Sequence, residues 1–145
     1  MIIRQIKKND CKQDFETSDP RFDYDQHGNK LGLSFYYERD RSKEYESYVL
    51  EDKGKILGVL CIQKQTDSLY ISRLGVRRGH WRKGYGTELL KFAILKARER
   101  GTQKISLETE TENVEFYKGL GFKTTREYYD PHWGNSATME LSLRI

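Results

Sequence analysis

The sequence predicts a mixed α/β (α+β) fold in one domain that spans residues 1–145. Two kinds of apolar pattern alternate along the chain. In several short segments apolar residues recur at every second position, as in a strand, and in one long segment they recur at helical spacing. A chain of 145 residues suits one domain with a modest core, and neither a repeat nor a domain boundary is visible.

The first third of the chain is the least regular part. Residues 2–7 predict a strand. Residues 11–47 have no sustained helical period, and they contain Pro20 and a predicted turn at residues 27–29. The same segment is too rich in aromatic residues for ordinary disorder, so we expect short helices and loops there.

Three strands are expected next, at residues 48–51, 56–64 and 69–76. The first two flank the sequence Asp-Lys-Gly-Lys at residues 52–55, which is typical of a hairpin. The third strand follows a turn at residues 66–68.

A long helix is predicted to begin at about Thr87 and to be capped by Gly101. Its buried stripe consists of apolar residues at helical spacing, which are Leu89, Leu90, Ala93, Ile94 and Ala97. A strand at residues 104–108 follows.

The last part of the chain predicts a short helix and a hairpin. Asn113 is a favourable N-cap for a helix over residues 114–120. The hairpin pairs a strand beginning at residues 122–129 with one at residues 138–143.

The loop before the long helix is basic and contains several glycines. Residues 76–87 read Val-Arg-Arg-Gly-His-Trp-Arg-Lys-Gly-Tyr-Gly-Thr. Gly84 and Gly86 lack Cβ atoms, so backbone N–H groups can approach an anion closely. The helix start adds unpaired donors and the positive end of the helix dipole. The pattern therefore favours a site for a phosphorylated ligand, with Arg82, Lys83, Gly84, Tyr85, Gly86 and Thr87 as its residues.

Two familiar phosphate loops do not fit this segment. A nucleotide-triphosphate loop has the glycine spacing of Gly79 and Gly84, but it requires lysine where Tyr85 stands. The dinucleotide fingerprint requires a third glycine where Leu89 stands. On this segment alone, a glycine turn before an ordinary surface helix remains the alternative.

A second motif lies one strand further on, where residues 113–122 read Asn-Val-Glu-Phe-Tyr-Lys-Gly-Leu-Gly-Phe. In this order and separation the two motifs resemble the GNAT-type N-acetyltransferase superfamily. There, Gln/Arg-x-x-Gly-x-Gly/Ala binds the acetyl-CoA pyrophosphate, and a later Asn-x-x-x-Tyr-x-x-x-Gly-Phe helix supplies a tyrosine near the CoA sulfur. The resemblance covers residues 49 to about 143 and is weak over residues 11–47. Trp81 stands where Gln or Arg is usual.

The resemblance implies a mixed, mostly antiparallel sheet of about six or seven strands flanked by helices. The fourth and fifth strands of this sheet splay apart, and the cofactor enters the gap. It also implies that backbone groups at Leu74, Gly75 and Val76 pair with the pantetheine amides, with Gly75 allowing close approach. A plain core strand with a bulge at Gly75 is the alternative. Asn113 and Lys118 are further candidates for cofactor contact.

Tyr117 is the candidate general acid. A phenol with a reference pKa of about 10 can donate a proton to the departing thiolate. Its spacing with Val114 and Leu120 would also suit a simple core residue.

The acceptor amine must lose a proton before attack, because its reference pKa is about 10.4. Some family members place a glutamate on the fourth strand for this purpose, but here that strand offers only Ser72 and Arg73. Glu108 and Glu110 on the fifth strand are the next candidate bases, and Glu51 is a weaker one. Solvated charges at a strand end are the ordinary alternative for each of them.

The expected activity is direct transfer of an acetyl group from acetyl-CoA to a primary amine. A catalytically silent acyl-CoA-binding domain and a toxin that acetylates aminoacyl-tRNA are the alternatives. Residues 77–104 carry nine basic residues against two acids, which favours CoA binding, with a nucleic acid as the lesser explanation. His27, His80 and His132 show no ligand spacing, so no metal is expected.

The acceptor is expected to be a small amine (a polyamine, an amino sugar or an amino acid), with a protein N-terminus or lysine second. Residues 15–48 and the loop near Trp133 should form its site. Candidate acids for a cationic amine are Asp19, Asp23, Asp25, Glu38, Asp40, Glu44 and Glu46. No membrane segment or signal-peptide core is visible, which favours the cytoplasm, and a homodimer is left open.

Overall fold

The computed structural model describes residues 1–143, in which seven strands form one sheet with the order β1-β2-β3-β4-β5-β7-β6. The strands are β1 (Ile2–Gln5), β2 (Tyr45–Asp52), β3 (Lys55–Lys64), β4 (Ser68–Val76), β5 (Lys104–Glu110), β6 (Lys123–Asp130) and β7 (Gly134–Ser142). The helices are α1 (Pro20–Asp23), α2 (Leu33–Asp40), α3 (Tyr85–Glu99) and α4 (Val114–Lys118). The last two residues of the expected domain lie outside the described part.

Neighbouring strands run antiparallel except at the centre of the sheet, where β4 and β5 are parallel. Their pairing extends only from Ser68 opposite Lys104 to Ile71 opposite Leu107. Beyond that point each strand keeps its outer neighbour, so the sheet opens into a gap between β4 and β5. The expected mixed sheet with splayed fourth and fifth strands is therefore confirmed.

Each face of the sheet is covered by helices. On one face the stripe Leu89, Leu90, Ala93 and Ala97 of α3 is buried against the strands, whereas Ile94 is only partly buried. The other face carries a second core that contains aromatic residues of the irregular segment, including Phe15, Phe22 and Tyr36. This second core explains why an aromatic segment without helical period is ordered: its rings stack on the sheet.

Helix α3 begins two residues earlier than predicted, at Tyr85, because Gly84 adopts the left-handed conformation (φ 87°) that starts it. At the other end Gly101 (φ 67°) follows the C-cap, as a helix-terminating glycine does. The N–H of Thr102 donates to the Ala97 carbonyl at 2.9 Å, and that of Gly101 donates to Arg98. The glycine therefore ends the helix as predicted, one position after the cap itself.

Two strands begin earlier than predicted because pairing with a neighbouring strand determines where they start. β2 begins at Tyr45, three residues early, because Tyr45 pairs with Gln63. β7 begins at Gly134 because Gly134 pairs with Asp130 of β6. Among the described helices, none combines the length and apolar character that crossing a bilayer requires.

Candidate active site

The gap between β4 and β5 opens into a cleft of about 700 Å³. Its walls come from the end of β4, the loop before α3, the start of α4 and the loop before α1. The lining residues are Thr17, Ser18, Asp19, Phe22, Leu74, Gly75, Val76, His80, Trp81, Arg82, Gly84, Tyr85, Gly86, Thr87, Asn113, Phe116 and Tyr117.

The free edge of β4 presents alternate backbone groups to this cleft. The Arg77 N–H donates to Leu57 at 2.8 Å, and hydrogen bonds in an antiparallel pair alternate in direction along a strand. Gly75 therefore directs its backbone groups to β3, whereas Leu74 and Val76 direct theirs into the gap.

Gly75 is close to a side chain of the protein itself. A Cβ added to Gly75 would lie 2.5 Å from a ring carbon of Phe22. The missing side chain thus makes room for Phe22, which is itself part of the cleft wall. The irregular register in this region lies at Ser72, between the pairs Cys61–Arg73 and Ile62–Ile71, and not at Gly75.

The loop before α3 offers a row of unpaired backbone donors. None of the backbone N–H groups of residues 82–87 donates a hydrogen bond within the described part of the chain. Arg82 (φ 62°) and Gly84 (φ 87°) both lie in the left-handed region, and the space beside Gly84 is open, with no atom within 4 Å of an added Cβ. Unpaired donors at the start of a 15-residue helix suit a pyrophosphate.

Trp81 holds this loop against the end of β4. Its indole N–H donates to the Val76 carbonyl at 3.2 Å, while 50% of the residue remains exposed. The tryptophan therefore contributes a structural contact at the position where the family usually carries a polar or basic side chain.

Tyr117 lines the cleft and is partly buried between the rings of Phe116 and Phe122. Burial, together with the negative charge of Asp19, raises the pKa of the Tyr117 hydroxyl well above its usual range. The hydroxyl is therefore protonated at neutral pH, as a proton donor must be.

Asn113 occupies the N-cap position of α4, but its side chain makes no capping hydrogen bond. Its backbone angles (φ −99°, ψ 0°) are not those of the extended N-cap conformation. The expected capping role is therefore wrong, and the Asn113 side chain is available at the wall of the cleft.

A second, more polar pocket of about 390 Å³ continues along the gap. It shares Asp19, Phe22, Leu74, Asn113 and Tyr117 with the first cleft. Beyond them it is lined by residues of α1, the loop after α1, α2, β4, β5 and the β6–β7 turn, which are Arg21, Gln26, Arg39, Tyr70, Ile71, Ser72, Arg73, Leu107, Glu108, Thr109, Glu110 and Trp133. We refer to it as the acceptor pocket.

The two candidate bases differ in their surroundings. Burial, with the neighbouring carboxyl groups of Glu112 and Asp19, raises the pKa of Glu110 to about 7. The Arg21 guanidinium lowers the pKa of Glu110, but this effect is smaller than the effects that raise it. The Arg21 Nε lies 2.8 Å from Glu110 but makes no directed hydrogen bond. Glu108 is exposed and accepts a hydrogen bond from the Tyr128 hydroxyl at 2.9 Å.

Several candidates from the sequence lie elsewhere. Lys83 and Lys118 line neither pocket, and Lys118 pairs with Glu115 at 3.7 Å. Glu51 pairs with Arg4. Of the seven acids considered for the acceptor site, Asp19 alone lines the two pockets.

The turn before α1 positions one of the candidate acids, Asp19, at both pockets. Asp23 is buried and accepts hydrogen bonds from the backbone of Thr17 and Ser18, which fixes the turn that carries Asp19. The Asp19 carboxylate caps α1 through the N–H of Arg21 at 2.9 Å. Aspartate followed by proline is a recognised helix start, so this signal was present in the sequence.

Within residues 1–143 no group of three or more His, Cys, Asp or Glu side chains is arranged to hold a metal ion. The three histidines are part of no such cluster.

Solved structures share this fold. The ribosomal-protein-S18-alanine N-acetyltransferase from Escherichia coli superimposes with a TM-score of 0.75 at 20% identity, over 99% of this chain and 94% of that one. An aminoglycoside 6'-N-acetyltransferase complexed with coenzyme A gives a TM-score of 0.77 at 15% identity, over 100% and 98% of the two chains.

Sequence similarity leads to the same family. A probable N-acetyltransferase, camello, from Xenopus tropicalis is 33% identical over an 85-residue alignment, which covers 54% of this chain and 39% of that protein. The alignment thus spans well under half of that relative's length. Residues 9–122 match the Acetyltransferase (GNAT) family, whose cosubstrate is acetyl-CoA. The match covers most of the chain and both motifs, and the chain therefore belongs to the GNAT acetyltransferase family.

Proposed function

We propose that this chain is an acetyl-CoA-dependent N-acetyltransferase that transfers the acetyl group directly to the primary amine of a small molecule. One observation carries the proposal: an anion-binding loop and a free strand edge lead to a pocket that contains a glutamate with a pKa of about 7 and a protonated tyrosine.

The cleft suits the shape and chemistry of coenzyme A. The unpaired N–H groups of residues 82–87 would hold the pyrophosphate. The backbone groups of Leu74 and the N–H of Val76 would pair with the pantetheine amides, since the Val76 carbonyl already accepts from Trp81. Bound acetyl-CoA supplies an activated acetyl group as a thioester. Bound in this way, the cosubstrate would extend its thioester end toward the acceptor pocket.

Glu110 is the general base in this proposal. A carboxylate with a pKa of about 7 is substantially ionised at neutral pH, yet it is basic enough to take a proton from an ammonium group or from an intervening water. Glu108 is the weaker candidate because it is exposed and already bound to Tyr128.

Tyr117 is the general acid. It lines both the cleft and the acceptor pocket. In this proposal its hydroxyl would therefore lie near the junction of the two substrates. The proton that it keeps at neutral pH is available to the departing sulfur.

A silent CoA-binding domain would not need a glutamate of raised pKa in the same pocket as the tyrosine, so the acceptor pocket favours an enzyme. The fold itself does not select the acceptor, since similar structures include enzymes named for a ribosomal protein and for aminoglycosides. A pocket of about 390 Å³ favours a small molecule over a polypeptide or a tRNA. Free thiols at Cys11 and Cys61 suit the reducing cytoplasm, where we place the reaction.

Two measurements test the proposal. Saturating acetyl-CoA should raise the melting temperature of the protein, and Gly84→Asp should abolish the shift. Release of free thiol across a panel of primary amines, with mass detection of the products, should then identify turnover. Absence of stabilisation by acetyl-CoA would refute the cofactor assignment, and stabilisation without any acetylated amine would refute the catalytic one.

A further inference from the structure

The acceptor pocket has walls of opposite charge. Glu108 and Glu110 lie on β5, and Asp19 lies beside them at the start of α1. Arg39 of α2 and Arg73 of β4 form the facing wall. The remaining charged lining residue, Arg21, lies against Glu110 at 2.8 Å, and Tyr70 and Gln26 are neutral. One wall of the pocket is therefore negatively charged, and the wall across from it is positively charged.

Arg39 is held in place without a carboxylate partner. Its guanidinium lies over the rings of Phe35 and Tyr45, at 4.7 and 4.5 Å from their centroids. Its Nη1 donates to the Ser72 hydroxyl at 2.8 Å. No carboxylate within residues 1–143 lies within 4 Å of it. An arginine that is stacked on two rings has little rotamer freedom to lose when it binds a ligand.

Arg73 resembles Arg39 in this respect. It follows Ser72, the residue at the register irregularity in β4, and its Nη1 donates to the backbone carbonyl of Arg21. Among the described ion pairs Arg73 takes part in none. Two partly buried guanidiniums therefore line the pocket, and neither forms an ion pair within 4 Å with a carboxylate of the described chain.

We propose that the acceptor carries an anionic group, a carboxylate or a phosphate, which Arg39 and Arg73 bind while its amine lies toward Glu110. Charge-assisted hydrogen bonds to guanidinium are strong and directional, and a zwitterion would match both walls at once. The acceptor is thus an amino acid or an aminoalkyl phosphate, and not a polyamine or an uncharged amino sugar. This inference rests on the proposed function of the same site.

Matched pairs of amines test the inference on the unaltered protein. α-, β- and γ-amino acids are each compared with their carboxamides, and phosphoethanolamine is compared with ethanolamine. Spermidine and glucosamine represent the excluded classes. Rates are corrected for the fraction of free amine, since amidation lowers the pKa of a neighbouring amine. We expect kcat/KM for at least one anionic member to exceed that of its neutral partner by about tenfold or more. The carboxylate and phosphate pairs distinguish the two sources.

Variants then assign the preference to the arginines. The ratio to measure is kcat/KM for the anionic amine divided by kcat/KM for its neutral partner. Arg39→Gln and Arg73→Gln should each lower this ratio by about tenfold, whereas Arg98→Gln, on the exposed face of α3, should leave it unchanged. The ratio is used because a purely structural loss, such as that of the Arg39 ring stack, lowers both rates together.

Each outcome decides the question. Acetylation of neutral amines as fast as anionic ones would overturn the inference and leave the proposed function standing. A preference that survives in both arginine variants would also overturn it. If acetyl-CoA binds but no amine in the panel is acetylated, the proposed transfer and the inference fall together.

Discussion

The substitution Glu110→Gln should change the stability and the activity of the protein in opposite directions. The ordinary pKa of a glutamate is 4.5, and that of Glu110 is about 7. Because the folded-state pKa is raised, the native protein retains a proton that the unfolded chain has already released. Folding stability therefore falls as the pH rises from about 4.5 through 7. A glutamine cannot ionise and escapes this loss.

The size of the effect follows from the same values. Each tenfold change in proton affinity corresponds to about 1.4 kcal/mol, which sets a ceiling of about 3 kcal/mol for Glu110. Since the side chain is 21% exposed, solvent screening should reduce the effect to about 1 to 2 kcal/mol. The variant should be more stable than the parent by this amount at pH 8, and much less so at pH 5.

Denaturant titrations of both proteins at pH 5 and pH 8 measure the stability difference between variant and parent at each pH. The change in this difference between the two pH values is the double difference, and Glu108→Gln is a control on the same strand. The activity of the variant should fall, although its stability rises. The kcat/KM of the parent should rise with pH through about 7, and Glu110→Gln should lower it by about 10² to 10⁴-fold. A double difference of zero or of opposite sign would mean that Arg21 dominates the site and that the pKa of Glu110 is not raised.

Three further predictions concern the cleft. Tyr117→Phe should lower kcat about 10²-fold or more while leaving acetyl-CoA affinity nearly intact by calorimetry, and full activity would remove its role as acid. Gly84→Asp should abolish acetyl-CoA binding, whereas Arg82→Ala should weaken it less than about tenfold because the backbone donors remain; equal losses would contradict the backbone assignment. Gly75→Ala should destabilise the protein by about 1 to 3 kcal/mol in denaturant, since its Cβ would meet Phe22 at 2.5 Å. Gly32→Ala, at an open position, should change stability by less than about 0.5 kcal/mol, and a similar cost at both would rule out the steric explanation.

Local signals predicted the second half of the chain well. The glycines at positions 84 and 86, the apolar stripe of α3 and the alternating strands are each encoded within a few neighbouring residues, and the structure contains all of these elements. The helix start was misplaced because Tyr85 and Gly86 have poor helical character, and the left-handed geometry of Gly84 decides the boundary.

The acceptor pocket could not be predicted in the same way. Its walls come from α1, α2, β4 and β5, and Arg39 meets Ser72 across 33 positions of sequence. The spacing of apolar residues along the sequence does not predict a contact between such distant segments. The acidic composition of residues 11–47 pointed toward a cationic ligand, but most of those carboxylates are engaged elsewhere. Asp40 accepts from Gln5 and the Ser47 N–H, and Glu46 binds Arg100.

The interrupted pairing of β4 and β5 also makes ligand binding observable without turnover. In the free protein the amides of Leu74 and Val76 have no strand beside them, although they lie at the centre of a seven-stranded sheet. They should exchange their hydrogens with solvent far faster than Gly75, whose amide is bonded to β3. A ligand that completes the ladder would slow exchange at alternate residues only. That residue-by-residue signature would reveal occupancy even in a variant with no catalytic activity.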